Sequence, residues 1–223
     1  MAEIEDKTST NLFDIDTEDS PIGAVIDFLD THLKSFPSDF TKRTSKPTET
    51  DENLISQELG IFLDRRSKDE VFRFNCQWEY PDSDRNPDFG LYTVEDRNPF
   101  AFTRAFFEIE AKKLPTGSRD YVKGKLGGIE RFKRGHHGKD LLQSAMVGYI
   151  QKETCSHWHT TINEWIKELI SSNTDKSIHW DSKDLLIQSD DFGKTKKYHS
   201  KNTRKIDFQE DSIKLHHYLM ELN

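Results

Sequence analysis

Apolar residues recur along this chain in two rhythms. From Ser20 onward, Ile22, Val25, Ile26, Leu29, Leu33 and Phe36 fall on one helical face. Ser20-Pro21 ahead of them supplies an N-cap oxygen and a residue suited to the first helical position. Residues 37–50 are rich in Ser, Thr, Pro and Lys and read as a linker. The first helix is therefore an appendage, packed on the core or offered to a partner. A second helix is expected at about 52–66, capped by Asp51, with Leu54, Ile55, Leu59, Phe62 and Leu63 inward. A third spans 156–172 and gathers Trp158, Ile162, Trp165, Ile166, Leu169 and Ile170 on one side, as a core-facing helix does.

Between the helices the chain reads as strands: Val71–Cys76, Asp88–Val94, Ala101–Lys112 and Ala145–Ile150, then Asp184–Gln188, Tyr198–Phe208 and Ile213–Leu222. Tyr80–Pro87 is a turn-rich loop, and 115–139 holds many Gly and basic residues around a short helix at Gly128–Lys133. The order helix, three strands, helix, strand, helix, strands predicts an α/β (α+β) fold, a central mixed sheet flanked by helices. The chain divides into an acidic flexible tail (1–19), a helix and linker (20–50) and one main domain (51–223), with no internal repeat.

Composition narrows the class. Charged residues make up 32%, yet 15 Phe, 6 Tyr and 4 Trp are enough to bury a core. No apolar run is long enough to cross a bilayer, and the start lacks a basic-then-apolar signal pattern, so a soluble, cytoplasmic protein is expected. Cys76 and Cys155 are too few for a disulfide framework and read as core thiols. The net charge of −8 is unevenly spread. Residues 1–20 hold seven acids and one Lys, whereas 112–139 hold nine Lys/Arg against Asp120 and Glu130, and 193–205 hold six basic residues and no acid. Such blocks point to a local anion-binding face.

The candidate chemistry lies in Phe106-Phe107-Glu108-Ile109-Glu110-Ala111-Lys112. In a strand, Glu108, Glu110 and Lys112 share one face and Phe107, Ile109 and Ala111 the other. A carboxylate can ligate a divalent ion, and a lysine two residues on can orient water or offset charge on a phosphate. Taken alone, such a pair also fits a solvated edge strand. Asp88, in Pro87-Asp88-Phe89-Gly90, starts a strand that can pair with the Glu110 strand and bring two carboxylates to one ion. Oxygen-only ligands suit Mg²⁺ or Mn²⁺. Two acids on one ion repel without it, so replacing either should stabilise the fold. Glu58 falls among the apolar positions of the second helix, where burial calls for a partner, and Glu52, on a neighbouring stripe, is a weaker candidate. His136-His137 and His216-His217 read as surface or hydrogen-bonded core histidines. His157 and His159 could ligate zinc only from an extended segment, and no Cys or acidic partner accompanies them.

An acid on a helix, then Pro-Asp, then about twenty residues, then Glu-x-Lys resembles the PD-(D/E)XK, or restriction-endonuclease-like, nucleases. Here it reads Glu58, Pro87-Asp88 and Glu110-Ala111-Lys112, and Asp88 and Glu110 are 22 positions apart. Weaker likeness continues through Tyr121, Gly128–Phe132 and Met146–Ile150, so it covers about residues 52–150. The resemblance implies a central four-stranded mixed sheet, phosphodiester hydrolysis with Mg²⁺ (or Mn²⁺), Asp88 and Glu110 as metal ligands, Lys112 beside the water, and Glu58 as a further catalytic and metal-binding acid. Glu108 departs from that pattern and is either a ligand or an ion-pair partner. Lys113, Lys123, Lys125, Arg131, Lys133 and Arg134 are expected to grip nucleic acid. The expected protein is a Mg²⁺-dependent deoxyribonuclease, an endonuclease rather than an exonuclease, comparable in size to effectors of prokaryotic anti-phage defence or restriction components. It is expected to act as a homodimer or with a partner protein and not to meet a membrane. A catalytically silent nucleic-acid-binding or scaffolding subunit and a ribonuclease toxin stay open, since the sequence does not separate DNA from RNA.

Overall fold

The computed structural model describes residues 20–77, 79–80, 86–94, 105–115, 119–124, 127–172, 175–206 and 209–223. Its strands are β1 (Phe72–Cys76), β2 (Phe89–Thr93), β3 (Phe107–Leu114), β4 (Gln143–Ile150), β5 (Ile187–Asp191), β6 (Thr195–Ile206) and β7 (Gln209–Glu221). They form one open seven-stranded sheet in the order β1-β2-β3-β4-β7-β6-β5. The centre, β3-β4-β7, is parallel, and each flank is antiparallel. The expected mixed sheet is present, and its four N-terminal strands are extended by three more. No described helix is long and apolar enough to cross a membrane.

Helices α1 (Pro21–His32), α2 (Phe36–Arg43), α3 (Glu52–Arg66), α4 (Gly128–Lys133) and α5 (Cys155–Ser172) accompany the sheet. Alternation along the strands supplies two apolar faces. On one, Phe72, Phe89, Phe107, Ile109, Val147 and Tyr218 share a buried cluster with α1, α2 and α3. On the other, Leu114, Met146, Ile150 and Leu219 share one with Ile129 and Phe132 of α4 and Trp158, Ile162 and Ile166 of α5.

The N-terminal region is part of this core. Ser20 caps α1 by accepting a hydrogen bond from the Gly23 amide at 3.0 Å, and Val25, Phe28, Leu29 and Leu33 are buried. The expected linker at 37–50 is corrected. A 3₁₀ turn at Leu33–Ser35 leads into α2, and Phe36 and Phe40 are buried in the core. Pro37 sits in the first turn of α2, where its missing N–H costs nothing, so it starts a helix there.

Other boundaries shift for local reasons. The strand expected from Asp184 begins at Ile187. Asp181 and Asp184 instead form a capping box around a 3₁₀ turn, which takes up the backbone groups a strand would pair. β3 runs two residues past Lys112, and the part expected at 101–104 lies outside the described residues, as does the tail at 1–19. Cys155 is buried, but Cys76 is exposed and so is not the core thiol expected.

Phe36 is fully buried, with its ring centroid 5.3 Å from that of Phe62 on α3. Phe36→Ala should therefore lower unfolding stability by about 3–5 kcal/mol. A chain starting at residue 51 should lose cooperative unfolding, as read by urea denaturation followed by circular dichroism.

Candidate active site

Antiparallel pairing places the acids. Phe89 of β2 lies opposite Ile109 of β3, and continuing that register by one residue sets Asp88, just ahead of β2, opposite Glu110. Asp88 Oδ2 accepts a hydrogen bond from the Ala111 amide at 2.7 Å, which fixes its carboxyl against β3. Glu110 lies at the sheet's centre with a side chain 2% exposed. Its Oε1 meets Lys112 Nζ at 2.7 Å and an Arg131 guanidinium nitrogen from α4 at 3.2 Å. Its Oε2 accepts no hydrogen bond among the described residues. The nearest ring nitrogen, His137 Nε2, stands 3.2 Å away off the hydrogen-bonding line.

The two acids therefore have opposite electrostatics. For Asp88, burial and the charge of Glu110 outweigh the nearby Lys112 and push the carboxyl up to about 7. For Glu110, burial also works against ionisation, but His137 and Lys112 overcome it and hold the group at about 2. Lys112 is buried, which disfavours its charge, yet Glu110, Asp88 and Glu52 together raise its pKa.

The helical acid of this cluster is Glu52, and the expectation for Glu58 is corrected. Glu52 Oε2 accepts from the Lys113 amide at 2.6 Å, and Oε1 is 3.6 Å from Lys112 Nζ. Glu58 instead pairs with Arg43 of α2 at 2.6 Å, its side chain 29% exposed. The buried face of α3 comprises Ile55, Ser56, Leu59, Gly60, Phe62 and Leu63, while Leu54, expected inward, is exposed. Small residues set that rotation. A Cβ on Gly60 would come within 2.2 Å of Cys76 Sγ, so α3 meets the sheet at Gly60. Glu52, Ser56, Leu59 and Leu63 are four, three and four residues apart, one helical line. Counting Ser56 and Gly60 as inward positions is the signal that would have selected Glu52.

Glu108 is held away from this chemistry, accepting from the Tyr80 hydroxyl at 2.5 Å and from the Gly138 amide at 2.7 Å. The expected basic grip is largely internal. Lys133, expected on the nucleic-acid face, is buried against Asp184 at 2.5 Å. Arg134 pairs with Glu130 at 2.7 Å and Asp175 at 2.5 Å, and Arg131 faces Glu110. Lys125 lies outside the described residues. Lys113 and Lys123 are the two of the six that carry no ion pair among the described residues. In the second basic block, Lys196 pairs with Asp191 at 2.8 Å, Lys197 with Asp30 at 2.6 Å, and Arg204 with Asp211.

The histidines divide. His217 is hydrogen-bonded on both sides, and His216 and His159 on one. His157 and His159 sit on α5, two residues apart on a helix, and do not share a face for zinc. His137 fits neither expected class, being fully buried with no hydrogen bond at either ring nitrogen. Nothing in Gly135-His136-His137-Gly138 marks this placement, since two adjacent histidines fit a surface or a hydrogen-bonded core position alike.

A hard divalent ion suits the Asp88–Glu110 pair. The donors are carboxylate oxygens, Glu110 Oε2 is buried with no hydrogen bond among the described residues, and burial beside Glu110 pushes the Asp88 carboxyl up to about 7, as in a site short of positive charge. No group of three or more His, Cys, Asp or Glu is arranged around one point among the described residues. An ion here would thus keep water or substrate oxygens for much of its shell, as Mg²⁺ commonly does.

These electrostatics correct the expectation that either acid destabilises the fold. The folded pKa of Asp88 lies above its unfolded value near 3.9, so the folded state binds more protons and stability falls as pH rises from about 4 to about 7. In EDTA at pH 8, Asp88→Asn should be more stable than wild type by at least about 1 kcal/mol, and the gap should close by pH 4. Glu110→Gln should be less stable at pH 8, since it strands Lys112 and Arg131. Thermal melts across that pH range test both. No family model, curated protein or solved structure matches this chain.

Proposed function

We propose that this protein is a Mg²⁺-dependent nuclease that hydrolyses phosphodiester bonds in DNA. The observation that carries the reading is Asp88 fixed on the Ala111 amide beside Glu110, where the β2–β3 register continued by one residue sets it, with Lys112 Nζ 2.7 Å from Glu110. The element order α3, β1, β2, β3, α4, β4 supports placing this core among the restriction-endonuclease-like nucleases.

The chain's residues divide the work by position. The Ala111 amide aims Asp88, and Arg131 and Lys112 hold Glu110 ionised, so both acids are set before substrate arrives. A divalent ion held by Asp88 and Glu110 would supply positive charge at the scissile phosphate and a bound water of lowered pKa. Lys112 is placed to donate to the attacking water or to a phosphate oxygen. Glu52 touches both the Lys112 ammonium and the Lys113 amide and orients the end of β3. Lys113 and Lys123 are left to contact phosphates, which positions substrate without reading sequence.

A second reading rests on Glu110 being engaged by Lys112 and Arg131 with no three-ligand group around it among the described residues. On that reading the chain is a silent nucleic-acid-binding subunit in which cations replace the metal.

Incubation with plasmid, linear and single-stranded DNA and with RNA separates the two. Cleavage should require Mg²⁺ or Mn²⁺ and stop in EDTA. Asp88→Asn, Glu110→Gln and Lys112→Met should each lower the rate by at least about 100-fold, and Glu52→Gln should lower it while Glu58→Gln leaves it unchanged. Full activity in EDTA would overturn the metal mechanism, and no cleavage of any substrate by folded protein would favour the silent subunit.

For binding, Lys113→Gln and Lys123→Gln should each reduce the slope of log K against log salt by about 0.9 on duplex DNA if that lysine contacts a phosphate. Lys133→Gln should lower stability and leave the slope unchanged. Titrations at several salt concentrations decide this.

A further inference from the structure

His137 is the one buried histidine among the described residues with no hydrogen bond at either ring nitrogen, its nearest polar neighbour being Glu110. Its ring is fully buried, and neither Nδ1 nor Nε2 makes a hydrogen bond. Buried polar groups are rarely left so. The same sheet shows how an ordinary buried histidine is treated. His217 meets the Tyr121 hydroxyl at 3.1 Å through Nδ1 and the Ser200 hydroxyl at 2.9 Å through Nε2.

The other orphan atom at this place is Glu110 Oε2, 3.2 Å from His137 Nε2. Two ligands bound about 2.1 Å from one ion, at right angles, are about 3.0 Å apart. The two atoms thus have the separation of neighbouring ligands, and they lie off the hydrogen-bonding line. Position fixes the ring. His137 follows the last turn of α4, its amide donating to the Arg131 carbonyl at 3.2 Å, and the next amide, Gly138, is tied to Glu108 at 2.7 Å.

We propose that His137 Nε2 is a nitrogen ligand of the divalent ion, beside Glu110 Oε2, and that the site consequently prefers Mn²⁺ to Mg²⁺. The inference rests on the metal-dependent reading above and deepens it. Two ligands are in place as the chain stands, and Asp88 is the next acid available to the ion. Imidazole nitrogen suits a transition ion, whereas Mg²⁺ takes oxygen.

The test uses the full chain with Mn²⁺ alone and Mg²⁺ alone. Binding is followed by loss of the free Mn²⁺ electron paramagnetic resonance signal and by calorimetry. Directly bound nitrogen is detected in the electron spin echo of protein-bound Mn²⁺. Wild type should bind Mn²⁺ more tightly than Mg²⁺ and show nitrogen modulation that changes when histidine is labelled with ¹⁵N. His137→Gln should lose the modulation and bind Mn²⁺ at least about tenfold more weakly, with Mg²⁺ binding altered by less than about twofold. Should that variant not fold, the ¹⁵N comparison in wild type still decides whether a histidine ligates. Bound Mn²⁺ without nitrogen modulation, or modulation that persists in folded His137→Gln, would overturn the proposal and leave an oxygen-only metal site standing. Failure of wild type to bind either ion would overturn both the proposal and the metal-dependent reading.

Discussion

Glu110 is an ionised carboxylate in the middle of a sheet, and much of the surrounding architecture answers to it. Removing such a charge from water costs several kcal/mol unless opposite charge and hydrogen bonds compensate. Compensation comes from Lys112 on its own strand and Arg131 on α4. A helix of six residues is too short to be stable by itself. Its docking is secured by Ile129 and Phe132 in the apolar cluster and by Arg131 on the acid. The site's electrostatics and the packing of that layer are thus one problem.

Asp88 shows the contrast. It faces the same region, but its main fixed partner is a backbone amide, and with Glu110 already ionised it keeps its proton to about pH 7. One acid is matched by the protein's own cations and the other is not. A site left short of positive charge is what a divalent ion or a cationic substrate group would complete, and the orphaned Glu110 Oε2 and His137 Nε2 lie beside it.

The basic residues carry a related lesson. Lys133 with Asp184, Lys197 with Asp30, and Arg204 with Asp211 and the Gly138 carbonyl hold the layers around the sheet together. Arg204 on β6 thereby braces the segment that positions both Glu108 and His137. Charge spent on these contacts is not available to a phosphate backbone, so a run of lysines and arginines in sequence overstated the surface they offer.

Local rules were enough for much of this. Ser20 and Asp51 cap helices as their side chains dictate, the alternation in β3 set its two faces, and Pro-Asp leads into a strand that pairs with the one carrying Glu-x-Lys. Each depends on neighbours in sequence or on a two-residue period. Tertiary structure decided what depends on the other side of a contact. The rotation of α3 was set by how closely Gly60 could approach Cys76, a steric fact about two distant residues, and it exchanged Glu58 for Glu52 at the site. His137 gained its place because α4 folds back over β3 and brings residue 137 to residue 110. Lys133 is buried rather than at the surface because Asp184, 51 residues away in sequence, is folded against it. A carboxylate or an imidazole carries no record in its own neighbourhood of which charge will meet it. That pairing is fixed by long-range packing, and here it separates the acids and bases that can take part in chemistry from those that hold the fold.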